Sequence, residues 1–276
     1  MIKWFMRNFF KRISPMILFF PMACAPLIVP THSVEYVYEN QRVEVDDPSW
    51  ATKTVFAFEG EDPRRPVSAE VYENGDETVV SAFLLYEYWD LEEISNAAVD
   101  RRLRRIERYS DADIFTQTET GRVKDPEKTA KKLISYDVYE TDEKNGRTIS
   151  LKKYYYNIDD PVIENRNVPM TSIEYEYFSG ADRFLPQTER HFLFLANEWI
   201  YRASAEVEYS RIAGEKRPTA KRFYLSEAAD FYEIEVYTYS DSGDLTRSEL
   251  YTAEEYAKSE SQRVPKKTVL YVTEEG

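Results

Sequence analysis

A chain of 276 residues with 36 bases against 50 acids, net −14, repels phosphate backbones, which removes nucleic acid as a partner. With 22 tyrosines, 15 phenylalanines and 4 tryptophans against only 8 glycines, it is neither low-complexity nor disordered, and the aromatic excess favours strands. A single cysteine excludes an internal disulfide, so stability must come from the core that a chain of this length can build.

The first twelve residues carry Lys3, Arg7, Lys11 and Arg12 and no acid. An apolar run follows from Ile13 to Ala23, interrupted by Pro15 and Pro21. It is shorter than the ~20 residues of a bilayer span, and its prolines make a poor helix interior. A basic segment, a short apolar segment and small residues at the end make an export signal. The lone cysteine, Cys24, stands directly after it. Ala23-Cys24 resembles the lipobox of a bacterial lipoprotein signal, although Pro21 occupies a place where that pattern has an aliphatic residue. The resemblance covers residues 1–24. It implies cleavage before Cys24 and acylation of that cysteine, giving the membrane as a partner and the cell envelope as the address. Two or more acyl chains anchor stably where one is marginal. The rival cut, after Ala23-Cys24-Ala25, would place Pro26 next to the scissile bond. Without residues 1–23, which hold four of the 36 bases and none of the acids, 32 bases face 50 acids and the net charge is −18. Residues 24–33, with Pro26 and Pro30, read as an extended tether.

From residue 34 onward short alternating segments recur. Val34–Tyr38, Thr54–Phe58 and Val67–Tyr72 read as strands, and Asn74-Gly75 supplies the two positive-φ positions of a tight hairpin into Thr78–Tyr88. Asp90-Leu-Glu-Glu93 has capping-box spacing and predicts a helix toward Leu103, while Arg101–Arg108 reads equally as a basic strand. Asp125-Pro126 predicts a helix over Glu127–Leu133. Strands follow at Ile134–Tyr139, Thr148–Tyr156, Ser172–Phe178, Thr188–Leu195, Trp199–Tyr209, Lys221–Leu225, Phe231–Tyr239, Leu245–Tyr251 and Thr268–Val272. Turns are expected at Asp142–Gly146, Ser179–Ala181 and Ser240–Asp244. Thr252-Ala-Glu-Glu255 is a capping box that opens a helix to about Gln262.

In Glu174–Tyr177 and Glu233–Tyr239 the period is two, which places acids on one face and aromatic or aliphatic groups on the other. Such strands belong to an antiparallel sheet with one wet face. The expected fold is mostly β: an antiparallel meander of hairpins, strongly curled or closed partly into a barrel, with a few short helices. One domain is expected over 34–276, with any break inside 90–132. Asp241–Tyr251 faintly resembles the hairpin units of tyrosine-aspartate repeat proteins, and Asp142–Tyr154 does so less well. The irregular spacing favours convergent hairpin chemistry over a repeat array.

No nucleophile elbow, phosphate loop or dinucleotide fingerprint is present. His32 falls in the tether and His191 in a strand, which does not make a metal set, and Asp241, Ser242 and Asp244 lack the spacing of a calcium loop. No cofactor is implied. Most tyrosines read as cross-strand pairs, and Trp50, Trp89 and Trp199 are the candidates for contact with a ligand or partner. The expectation is a non-catalytic, lipid-anchored envelope protein that binds or scaffolds an envelope protein partner. A lipid or lipoprotein carrier, holding an apolar ligand in a half-open barrel, is the alternative, and an envelope hydrolase the second.

Overall fold

The computed structural model describes residues 34–41, 43, 49–58, 65–90, 102–110, 115–118, 121–124, 132–156, 167–225 and 230–273. The export signal, Cys24 and the tether, with His32, lie outside them. So do residues 91–101 and 125–131, on which most of the expected helices at 90–103 and 127–133 fall.

The strands in chain order are β1 (Val34–Glu39), β2 (Thr52–Phe58), β3 (Pro66–Glu73), β4 (Asp76–Tyr88), β5 (Leu103–Ser110), β6 (Phe115–Thr118), β7 (Gly121–Lys124), β8 (Lys132–Thr141), β9 (Thr148–Tyr156), β10 (Asn167–Tyr177), β11 (Pro186–Leu195), β12 (Glu198–Ile212), β13 (Glu215–Leu225), β14 (Glu233–Tyr239), β15 (Leu245–Thr252) and β16 (Lys267–Val272). Fourteen of them form one closed barrel, and β6 and β7 form a separate hairpin inserted between β5 and β8. Every neighbouring pair in the barrel is antiparallel, so strands ascend and descend in turn. The basic segment near Arg101–Arg108 is a strand, β5, paired with β4 and β8.

The expectation of a curled sheet or partial barrel is corrected here: the barrel is closed. Closure depends on β1, which pairs with β2 on one side and with β16 on the other, from Val34↔Val272 to Glu39↔Lys267. Sequence periodicity specifies which side chains share a face but not which distant strand takes the last free edge.

Turn chemistry sets the register. Asn74 and Gly75 both have positive φ, 57° and 72°, as the hairpin signal requires. Two further tight turns use alanine: Ala196-Asn197 (52° and 67°) and Ala213-Gly214 (49° and 85°). Alanine pays a steric penalty in this region, which is why the second turn is not legible as one in the sequence. It extends β12 to Ile212 and starts β13 at Glu215, beyond the expected ends. The Thr252 hydroxyl caps a helix as predicted, accepting from Glu255 N at 3.2 Å, but this helix, α1, covers only Ala253–Tyr256.

The register divides the side chains into two faces. Val37, Ala69, Val71, Ala82, Ile106, Tyr139, Leu151, Ile173, Tyr175, Ala205, Tyr237, Val269 and Tyr271 share the inner face and are all buried. Nine of them fall into two clusters, one across β5, β8, β9 and β10 and one across β1, β14, β15 and β16. Each full burial of a large apolar group contributes roughly 1.5–3 kcal/mol. Two smaller clusters lie on the outer face. Tyr38 and Trp50 pack with Val43, from the β1–β2 connection, and Ile234 and Tyr251 pack against Phe231 and Tyr256.

The alternation in Glu174–Tyr177 works as expected, with Tyr175 inward and Glu174 and Glu176 outward. Glu233–Tyr239 is corrected: Glu233 and Glu235 share the inner face with Tyr237 and Tyr239, and it is Ile234 and Val236 that point outward under the cover of Phe231 and Tyr256.

Gly243, in the β14–β15 turn, has φ +89°, and a Cβ there would lie 2.9 Å from the Cβ of Ala213 in the neighbouring turn. Gly214 has φ +85° with open space around it. Gly214→Ala should cost roughly 1–2 kcal/mol from backbone strain alone. Gly243→Ala should cost more, because the clash adds to the strain. Urea unfolding of the two variants gives the comparison, and equal losses would refute it.

Candidate functional site

The outer wall is laced with ion pairs. Arg190 reaches Glu174 and Glu176 at 3.6 and 3.0 Å, Lys152 reaches Glu140 at 2.5 Å, Arg105 reaches Glu107 at 2.6 Å, Arg247 reaches Glu249 at 3.2 Å, and Arg222 pairs with Glu208. Tyrosine hydroxyls add to this lattice, Tyr72 donating to Glu70 and Tyr251 to Glu249, at 2.7 and 2.8 Å. A wall in contact with lipid tails carries an apolar band, and each cation at its midplane costs about 2–4 kcal/mol. Among the described residues no helix is long and apolar enough to cross a membrane, a fact that says nothing of strands.

The interior is occupied by side chains. The seven descending strands each bring one aromatic group to the lower lumen: Phe58, Tyr88, Tyr139, Tyr177, Tyr209, Tyr239 and Tyr271. Four hydroxyls are tied to the backbone of an ascending strand. Tyr88 donates to Pro66 O at 2.9 Å, Tyr177 to Thr148 O at 2.5 Å, Tyr209 to Pro186 O at 2.7 Å and Tyr239 to Pro218 O at 2.8 Å. Pro66, Pro186 and Pro218 are themselves paired with Phe58, Tyr177 and Tyr209, so these three links each join one member of the ring to another. Burial raises the hydroxyls of Tyr209 and Tyr239 well above the ordinary tyrosine range and keeps them as donors.

Above this ring lies a charged group. Glu189, 2% exposed, sits between Lys221 Nζ at 2.9 Å and His191 Nε2 at 3.2 Å. The register places all three on the inner face, His191 beside Ala203 and Lys221 beside Glu235. Burial alone would raise the Glu189 carboxyl. Lys221 and the hydrogen bond to His191 outweigh it and hold the carboxyl down at about 2. Asp137 shows the other balance. Its burial dominates, because Lys153 lies at 3.9 Å and Arg108 offers only long-range attraction, so its carboxyl is pushed up. Among the described residues no group of three or more His, Cys, Asp and Glu could hold a metal ion.

The upper rim differs from both wall and interior. Pairing of β10 with β11 ends at Thr171↔Leu193, and pairing of β12 with β13 ends at Ala203↔Leu225, yet β11 and β12 continue as a hairpin to the Ala196-Asn197 turn. A bulge between His191 and Phe192 re-aims this extension. Phe192 and Tyr201 meet edge to face at 5.8 Å, and Phe194 and Trp199 at 5.0 Å. Leu193 and Ile200 are paired on the opposite face. Leu195, Trp199, Ile200, Tyr201 and Leu225 are 37–50% exposed, so half of the exposed large apolar groups among the described residues gather at this one rim.

The three predicted tryptophans are therefore separated. Trp50 is 5% exposed and packs in the cluster with Tyr38 and Val43. Trp89 lies under the Arg104 guanidinium at 4.5 Å, with its indole N–H buried. Trp199 is exposed at the hairpin tip. The sequence reading did not single out Phe192, Phe194, Leu195, Ile200, Tyr201 or Leu225. The available signal was the loss of alternation in Phe192-Leu-Phe-Leu195 and Trp199-Ile-Tyr201, since a strand apolar on both faces has no wet side. Glu189 and Lys221 carried no such signal.

No family model and no curated protein matches the chain. Solved structures resemble it distantly. A protein of unknown function from Bacteroides fragilis is 12% identical over 46% of this chain and 86% of its own, with a TM-score of 0.31. A porin-like protein from Bacteroides uniformis is 8% identical over 89% of this chain and 99% of its own, with a TM-score of 0.38. The Photorhabdus luminescens Tc holotoxin pore is 11% identical over 77% of this chain but only 9% of its own, with a TM-score of 0.19. Likenesses this distant assign no role to any residue.

The buried carboxylate predicts an acid limb of stability. Because the folded Glu189 carboxyl titrates near 2 and the ordinary value is 4.5, its stabilisation is complete above pH 4.5 and is lost as pH falls toward 2. Glu189→Gln, which removes the buried ion pair with Lys221, should lower stability on the order of 3 kcal/mol at pH 7. The variant should also flatten the decline below pH 4.5. Urea midpoints across that range measure both effects, and an unchanged acid limb would refute the assignment.

Proposed function

We propose that this protein is an exported, non-catalytic binding module, tethered to an envelope membrane through an acylated Cys24, that docks an envelope protein partner on the β11–β12 hairpin tip. The observation that carries the reading is the contrast between this tip, apolar on both faces, and an outer wall whose charges are paired with one another. Aromatic anchors in a cluster are what hot spots of protein interfaces are made of. An ion-paired wall favours a barrel standing in water over one spanning the bilayer.

The placement of the two ends supports the same reading. Val34 begins β1 at the lower mouth, and the hairpin tip is at the upper rim, because ascending β11 ends where ascending β1 ends. Ten residues of tether reach at most about 35 Å. The barrel then stands with its lower mouth toward the membrane and offers its tip to the aqueous side. The carrier reading needs an open apolar interior, whereas Tyr139, Tyr175, Tyr237, Tyr271 and Glu189 fill that space with 7% exposure or less. The hydrolase reading needs polar groups converging in a cleft, whereas Glu189 and His191 are enclosed.

Two experiments test the proposal. A photo-crosslinking residue at position 201 should capture one discrete envelope protein in the native host, and Trp199→Ala should weaken capture at least tenfold, about 1.4 kcal/mol. The same variant should lose less than about 1.5 kcal/mol of folding stability. Capture unaffected by Trp199→Ala would refute the docking site. Separately, the intact mass of the mature chain from host membranes should begin at Cys24 with acyl chains, and Cys24→Ala should remove both the acyl mass and the membrane association. An unmodified mass would refute the tether.

A further inference from the structure

The lower mouth carries a cavity of about 400 Å³ between the β8–β9 and β10–β11 turns, lined by Lys144, Asn145, Arg147, Arg183 and Phe184. The turns hold these groups in place. The Asp142 carboxylate accepts from Lys144 N at 2.9 Å and from Asn145 Nδ2 at 2.5 Å, which folds the β8–β9 turn back on itself. Arg147 Nη1 donates to Arg183 O at 3.0 Å and joins the two turns, and its guanidinium lies 5.0 Å from the Tyr177 ring centre.

Three cations border one cavity on a chain of net charge −14. Around the wall, cations are satisfied by neighbouring carboxylates, as Lys152, Arg190 and Arg222 show. At the cavity, Asp142 lies 3.8 Å from Arg147, while Lys144 and Arg183 have no carboxylate at ion-pair distance among the described residues. With acids in such excess, two cations that border a shared space without a carboxylate, Arg183 lying over the Phe184 ring at 5.0 Å, mark a site for an external anion. An ammonium and a guanidinium on one cavity suit an anion with several oxygens, a phosphate above all. Phe184, 42% exposed, adds an apolar rim that a free inorganic ion would not use.

We propose that this cavity binds the phosphate of an anionic phospholipid head group, with Lys144 and Arg183 supplying the charge and Phe184 lying at the acyl boundary. The choice of a lipid as the phosphate source rests on the tether reading above, since β1 begins at this same mouth. Locally reversed charge then seats the barrel on a surface that its overall charge would repel.

The test uses the full chain with Cys24→Ala, so that no acyl anchor contributes. Vesicles of phosphatidylcholine alone are compared with vesicles of equal parts phosphatidylcholine and phosphatidylglycerol by co-sedimentation. Binding should require phosphatidylglycerol, and Lys144→Gln/Arg183→Gln should weaken it about 30-fold, as expected for two juxtamembrane charges. Arg183→Lys should retain most of it. Every variant keeps residues 1–24 identical apart from the shared Cys24→Ala change, so differences report the cavity. Binding that ignores phosphatidylglycerol, or that survives the double substitution, would overturn the proposal. Glycerol phosphate bound as tightly as the vesicles would reassign the site to a free phosphate and overturn the lipid. Vesicle binding that holds while the native chain proves unacylated would remove the tether and leave the site, so the two failures are distinguishable.

Discussion

A sheet of fourteen strands has two free edges unless its ends meet, and here β1 makes them meet by pairing with β2 and β16 at once. Unpaired edges are templates for aggregation, and closure removes them. It also fixes what is inside. Once the ring is shut, side chains on one face of every strand have only each other to pack against. The division into a filled lumen and an ion-paired wall follows from that single pairing.

The lumen is not a uniform apolar core. Its lower part is built on tyrosines whose rings fill space and whose hydroxyls bind the carbonyls of proline and threonine residues on ascending strands. Proline has no N–H to give the ladder, and its carbonyl becomes an anchor for the ring of the next descending strand. The four links have chain separations of 21 to 29 residues, which gives the barrel a periodic brace without a strict sequence repeat. Higher up, Glu189 is held charged by Lys221 and His191. Such a group adds little net stability over an apolar replacement, but removing one partner leaves a buried charge uncompensated. The interior therefore ties specific strands together by charge as well as by packing.

The two ends of the barrel differ chemically, and that asymmetry is the basis of the functional reading. One end projects a hairpin whose aromatic pairs face outward on one side and whose aliphatic groups lie on the other. The other end holds three cations around a cavity, at the mouth where β1 begins. Between them the wall is a lattice of ion pairs and tyrosine–glutamate hydrogen bonds.

The sequence by itself determined the strand class, most of the turns and the alternation that puts Tyr175 and Tyr177 on one face with Glu174 and Glu176 on the other. These are local properties: Asn74-Gly75 needs no distant partner to prefer its turn, and a period of two is a property of the strand itself. The sequence also singled out Trp199, but it could not separate Trp199 at the tip from Trp50 in a packed cluster, because exposure depends on what covers a residue. The period of two already groups Glu233 and Glu235 with Tyr237 and Tyr239, but that this shared face points inward depends on what covers it. Only the tertiary structure decided that the ring closes, that Glu189 meets Lys221 and His191, and that Lys144 and Arg183 face one cavity. Each of those depends on residues tens of positions apart in the chain, brought together by register and closure, which are properties of the whole sheet.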